Sequence, residues 1–231
     1  MKTALITGGS RGIGLGIADA LLKEGYAVAI TGRDPERLKQ VEAERSGMVP
    51  GRLLTRVCDV RDAHAQRQLV ADIRSRFGTI DVLVANAGIG HFAPIDQLTL
   101  EQWHETIDIN LTGVFHSIQA CLDDLKSSRG YIFTISSLAG TNFFAAGSAY
   151  NASKFGLTGF TQAVMLDLRK YGIRVSTIMP GSVATDFGGG RKGDESWKIQ
   201  PEDIGQLIAD LLRIDARTLP SKIEVRPTEP R

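Results

Sequence analysis

The sequence predicts an α/β fold: one doubly wound domain in which a seven-stranded, mainly parallel sheet carries helices on both faces. Two observations predict it. Short apolar runs rich in β-branched residues alternate with longer segments of helical period, and a glycine-rich turn joins the first run to the first helical segment. Such alternation marks repeated strand–helix–strand units, whose strands run parallel because each crossover returns the chain to the same end of the sheet.

The first strand spans Thr3 to Ile6 and leads into an amphipathic helix, Gly12 to Glu24, which Gly25 ends. Ala27 to Thr31 is the second strand; Asp34-Pro35 then supplies an N-cap and a first-turn proline for a helix from Pro35 to Arg45. A strand at Leu53 to Cys58 and a helix at Ala63 to Phe77 form the next unit, followed by Ile80 to Ala85 and a long helix from Leu100 to Leu125. Gly130 to Ile135 precedes a helix from Tyr150 to Tyr171, which Gly172 ends. The series closes with Ile173 to Ile178, a helix from Pro201 to Leu212 and a strand at Lys222 to Val225. Phe187 to Ser196, with its Gly188-Gly189-Gly190 run, reads as a loop. No linker or repeat interrupts the series, so residues 1–231 are expected to form one domain.

Composition narrows the function. The 231 residues carry a net charge of +1, which gives no basic surface for nucleic acid. The longest apolar runs, such as Ala27 to Ile30 and Ile80 to Ala85, fall far short of the roughly 20 residues that cross a bilayer. Gly8 arrives too early for a signal-peptide core, so a cytoplasmic protein with no membrane partner is expected. Cys58 and Cys121 lie apart from any CxxC or metal-ligand spacing; both read as buried, inert thiols, and no metal is expected.

The turn Thr7-Gly8-Gly9-Ser10-Arg11-Gly12-Ile13-Gly14 sits at the first strand–helix junction. Gly8 allows a tight turn, Gly12 lets the backbone approach a pyrophosphate, and Gly14 permits close packing of the helix, whose N-terminus offers free N–H groups. Ser10, Arg11 and Ile13 complete the candidate contacts of a dinucleotide. The second strand ends Gly32-Arg33-Asp34. An acid there takes ribose hydroxyls, whereas an arginine accommodates a 2′-phosphate, so Arg33, aided by Arg11, points to NADP. The competing reading makes both arginines solvated and Asp34 only a helix cap.

Tyr150-x-x-x-Lys154 places a phenol and an ammonium on one helical face, where the cation is expected to lower the phenol's pKa. Ser136-Ser137 follows the fifth strand, at the end of the sheet that faces ligands in open α/β folds. With Thr7-Gly8-x-x-x-Gly12-x-Gly14, Asp59-Val60, Asn86-Ala87-Gly88, Asn110, Ser137, Tyr150-x-x-x-Lys154 and Pro180-Gly181 in order, the chain resembles the short-chain dehydrogenase/reductase family over residues 3–185.

The resemblance implies a Rossmann-like NAD(P)-binding oxidoreductase that transfers a hydride between nicotinamide and a carbonyl or alcohol, with NADP(H) as cofactor. It implies Tyr150 as general acid or base, Ser137 as the group holding the substrate oxygen, and Lys154 on the nicotinamide ribose. Asn110 would support a water relay to Lys154. It further implies Asp59 and Val60 at the adenine, Asn86, Ala87 and Gly88 along the adenosine and ribose, and Pro180, Gly181, Val183 and Thr185 at the nicotinamide end. Two departures stand out: Ala85 replaces the first of two asparagines, and the chain ends Ile223-Glu224-Val225-Arg226-Pro227 rather than in Asp-Gly-Gly.

The substrate is expected against Ile89 to Phe92, Leu138 to Phe144 and a loop at about 186–200, with Phe92, Phe143, Phe144 and Trp197 as apolar candidates or simple packing residues. His91 reads as an exposed loop residue or a polar substrate contact, and Arg191 and Lys192 as solvated or as a site for an acidic carrier. The leading function is an NADP-dependent carbonyl reductase or alcohol dehydrogenase. The alternatives are a non-catalytic NADP-binding sensor or scaffold, and a sugar epimerase or dehydratase, which needs a larger substrate domain. A homodimer or homotetramer is expected, with Phe115, Phe155 and Leu166 on the outer helix faces.

Overall fold

In the computed structural model, which describes residues 1–188 and 194–229, the strands are β1 (Thr3–Ile6), β2 (Ala27–Gly32), β3 (Leu53–Val57), β4 (Val82–Ala85), β5 (Tyr131–Ile135), β6 (Arg174–Pro180) and β7 (Lys222–Val225). They form one sheet in the order β3-β2-β1-β4-β5-β6-β7, and every pairing is parallel. The chain winds outward from β1 in one direction and from β4 in the other, so a crevice opens where the two directions part.

Alternation along the strands feeds two cores. Ile6, Val28, Ile30 and Phe133 pack with Ile17, Leu21 and Ile208, on the face covered by α1 (Gly12–Lys23), α2 (Pro35–Arg45) and α7 (Pro201–Arg213). Leu5, Leu54, Leu83 and Ile132 pack with Ile73, Ile118 and Leu157 beneath α3 (Ala63–Phe77), α5 (Gly113–Ser128) and α6 (Ser148–Leu168). Helix α1 meets α7 through Gly16 and Gly205: a Cβ on Gly16 would lie 2.4 Å from the Pro201 carbonyl oxygen. Cys58 and Cys121 are free and buried, and burial pushes the Cys58 thiol up to about 11. Among the described residues no helix is long and apolar enough to cross a membrane.

The expected helix from Leu100 to Leu125 is in fact three pieces: α4 (Leu100–Ile107), a wide π turn (Asp108–Thr112) and α5. Tertiary hydrogen bonds explain the widening, because the turn aims Asn110 inward to partners on other elements. Helix α6 starts two residues before Tyr150 and ends in a 3-10 turn (Arg169–Tyr171), closed by Gly172 at φ 72°. Gly189, Gly190, Arg191 and Lys192 lie outside the described residues. The strand-like bridge Val183–Ile199 joins the two sides of that segment.

Candidate active site

The loops at the C-terminal ends of the strands enclose a cleft of about 1080 Å³. Gly8 and Gly12 adopt φ 65° and 53°, the left-handed conformation that glycine enters without strain. A Cβ on Gly14 would lie 2.5 Å from the Gly8 carbonyl oxygen, so that residue admits the helix rather than a ligand. The loop is held from behind: Asn86 Nδ2 donates to the carbonyls of Thr7 and Gly8, each at 3.0 Å, and Thr7 Oγ1 accepts from the backbone N–H groups of Asn86 and Ala87. The N-cap residue of α1, Arg11, makes no side-chain cap, which leaves the first-turn N–H groups for an anion.

Three arginines, Arg11, Arg33 and Arg37, line the cleft together with the glycine turn. Arg37 was not anticipated; its signal is the position in the first turn of α2 behind the Asp34 cap, from which Nε donates to the Ser10 carbonyl at 3.3 Å. Asp59 lies in the cleft wall with its carboxylate clasped by Arg61, which holds it below the usual carboxylate range. Glu105 of α4, also unforeseen, bonds Arg33 and His91, so His91 meets a carboxylate rather than open solvent.

At the reactive end, α6 presents Tyr150 and Lys154 one turn apart, both buried. Lys154 Nζ donates to the Ile135 carbonyl at 2.9 Å and sits 5.7 Å from the centre of the Tyr150 ring. Burial lowers the Lys154 ammonium to about 8. The expected lowering of the Tyr150 phenol is not found: burial raises it, and only the Ser137 hydroxyl acts in the opposite direction. Loss of water from the phenolate outweighs that one hydrogen bond and decides the direction. Ser137 Oγ accepts from the Ala139 N–H at 3.1 Å, which fixes it at the end of β5.

Asn110 stands behind the wall, fully buried: Oδ1 accepts from the Ile89 N–H at 2.8 Å, and Nδ2 donates to the Ile89 carbonyl and to Ser153 Oγ. Its side chain is therefore committed to holding the segment after β4, and a relay through Asn110 would have to use its main chain. Asn110 and Gly14 aside, every residue expected to serve catalysis or hold the cofactor lines the cleft, including Val60, Gly88, Pro180, Gly181, Val183 and Thr185.

Aromatic rings crowd the Tyr150 side. Phe92 lies 5.4 Å from the Tyr150 ring centre and Phe187 5.6 Å, while Phe144 reaches Phe92 at 6.0 Å. Phe143 instead points to solvent at 87% exposure, and Lys198 Nζ lies over the Trp197 ring, 5.9 Å from its centre. Phe187 supplies the ring expected of those two. The arrangement presents a protonated phenol, a hydroxyl and an apolar wall beside a cradle shaped for a dinucleotide.

Comparison with known proteins gives concordant results. The family profile described as short chain dehydrogenase matches residues 2–196. An uncharacterized oxidoreductase of Staphylococcus saprophyticus is 33% identical, covering 98% of this chain and 97% of its own. The D-beta-hydroxybutyrate dehydrogenase of Rhizobium meliloti is 36% identical over 186 residues, 80% of this chain and 72% of its own. An alcohol dehydrogenase from Thermococcus sibiricus, solved in complex with 5-hydroxy-NADP, superposes with a TM-score of 0.94 at 31% identity, over 100% of this chain and 98% of that one.

Proposed function

Because this chain belongs to the short chain dehydrogenase family, we propose that it is an NADP-dependent oxidoreductase that interconverts a carbonyl and an alcohol, with Tyr150 as the proton donor in reduction. The observation that carries this reading is the convergence of Tyr150, Ser137 and Lys154 on one end of a cleft whose other end is a glycine cradle rimmed by arginines. The fit of the cofactor is supported by the uncapped α1 N-terminus, by Gly8 and Gly12, and by Arg11, Arg33 and Arg37, and it agrees with the NADP analogue held by the Thermococcus relative.

When bound, NADPH supplies the hydride for the carbonyl carbon. Ser137 and Tyr150 hold the carbonyl oxygen, and the phenol gives it the proton that completes the alcohol. A phenol raised by burial is protonated at neutral pH, the form that reduction needs. Lys154, anchored on Ile135, is placed to meet the ribose and to stabilise the phenolate left after transfer. Phe92, Phe144 and Phe187 suit a substrate with an apolar body next to its carbonyl. The intact Tyr150, Ser137 and Lys154 set favours turnover over a sensor or scaffold role. We assign the whole of residues 1–231 to this one catalytic domain, with the substrate loop at about 186–200.

The test follows NADPH absorbance across ketones, quinones, sugars and 3-oxoacyl thioesters. Apolar ketones or thioesters are expected to be consumed faster than sugars, and no turnover on any of them would overturn the reading. Arg33→Asp is expected to weaken NADPH binding roughly tenfold or more, since a hydrogen bond to a charged group is worth about 1.5–3 kcal/mol. It should at the same time improve NADH binding; a fluorescence titration in which both cofactors keep their affinities would move the phosphate site elsewhere.

The outer faces of α5 and α6 expose Phe115, Phe155 and Leu166, and we propose that they are covered in a homodimer or homotetramer. Light scattering at micromolar concentration is expected to return a multiple of 25.0 kDa; a monomer mass would refute the assembly.

A further inference from the structure

Glu105, in the last turn of α4, has two carboxylate oxygens with two different partners. Oε1 accepts from Arg33 Nη1 at 3.4 Å, and Oε2 lies 2.9 Å from His91 Nε2. Arg33 stands at the end of β2 in the cleft wall, whereas His91 follows β4 and precedes Phe92. The Arg33 side chain is 52% exposed and that of Glu105 33%, so the pair opens to water without stranding a buried charge.

We propose that Glu105 sets how strongly this protein discriminates NADPH from NADH, by competing with the 2′-phosphate for Arg33. The inference rests on the NADP reading above. Two acids face Arg33: Asp59, whose carboxylate is clasped by Arg61, and Glu105, which bonds Arg33 directly. A 2′-phosphate arriving at Arg33 shares the guanidinium with Glu105 or displaces it, and in either case sits beside a carboxylate of like sign. The ribose hydroxyl of NADH meets the opposite situation, because a hydroxyl donates to a carboxylate. His91 keeps the carboxylate at this position after Arg33 has turned to the phosphate, and the same contact holds the Glu105 carboxyl below the usual carboxylate range, hence ionised. Glu105 is thus a positioning residue that acts through Arg33, and it tempers the preference that Arg33 creates.

The experiment titrates NADPH and NADH, by fluorescence, into the wild-type protein and into Glu105→Gln, at low and at high salt. The variant is expected to bind NADPH about threefold to tenfold more tightly, the size of one like-charge contact in a largely aqueous setting. NADH should bind equally well or slightly less well, and the gain for NADPH should shrink at high salt. Glu105→Ala, which removes the same charge, should shift NADPH in the same direction. An unchanged NADPH to NADH ratio, or an equal change for both cofactors, would overturn the role of Glu105. A wild-type protein that fails to prefer NADPH would instead overturn the NADP reading, so the two failures are distinct.

Discussion

Tyr150→Phe is expected to lower turnover by about 10²- to 10⁴-fold, the usual contribution of a general acid, while leaving NADPH affinity close to wild type. The ring would remain packed between Phe92 and Phe187, and Lys154 would keep its bond to the Ile135 carbonyl, so only the hydroxyl is lost. Stopped-flow or steady-state assays on the best ketone, paired with a cofactor titration, separate the two effects. Retention of more than about a tenth of wild-type turnover, below the smallest loss expected for a general acid, would remove Tyr150 as the proton donor. The pH profile gives an independent measure. Reduction needs the phenol protonated and oxidation needs the phenolate, so reduction should fall on the alkaline side while oxidation rises over the same range.

Lys154→Met is expected to weaken cofactor binding and turnover together, because the ammonium is placed to serve both. It should also change how stability depends on pH. Burial lowers the folded-state pKa of Lys154 from 10.5 to about 8, so between those values the unfolded chain keeps a proton that the folded chain has released. Stability therefore rises with pH through that window, and below it the folded protein carries the full cost of a buried charge, about 3 kcal/mol for a shift of this size. Methionine carries no such cost. Urea denaturation of both proteins at neutral pH and near pH 10.5 is expected to show wild type gaining up to about 3 kcal/mol relative to the variant. A difference that does not change with pH would mean that the lysine is solvated in the folded state. The two variants together distinguish loss of the proton donor, which spares the cofactor, from loss of the cation, which does not.

The residues legible in the sequence were those whose task is local. Gly8 and Gly12 advertise positive φ in a turn, Asp34-Pro35 announces a helix start, and the four-residue interval from Tyr150 to Lys154 fixes a shared helical face wherever the helix is placed. The alternation of apolar runs with helical segments similarly predicted seven strands and their parallel crossovers, since each strand–helix–strand unit is specified by its own stretch of chain.

Tertiary structure decided the rest. The π turn at Asp108–Thr112 exists where Asn110 reaches Ile89 and Ser153, 21 and 43 residues away, and no periodicity within 100–125 records those partners. The choice of Phe187 over Phe143 beside Tyr150 depends on how separate loops converge, and the bridge from Arg33 through Glu105 to His91 joins the connections after β2 and β4 to helix α4. The direction of the Tyr150 shift reversed for the same reason: sequence spacing reveals that a cation is near the phenol, but only the packed structure reveals how much water both have lost. Dihedral preference and helical spacing are properties of neighbours in the chain, whereas desolvation and hydrogen-bond partnership are properties of neighbours in space.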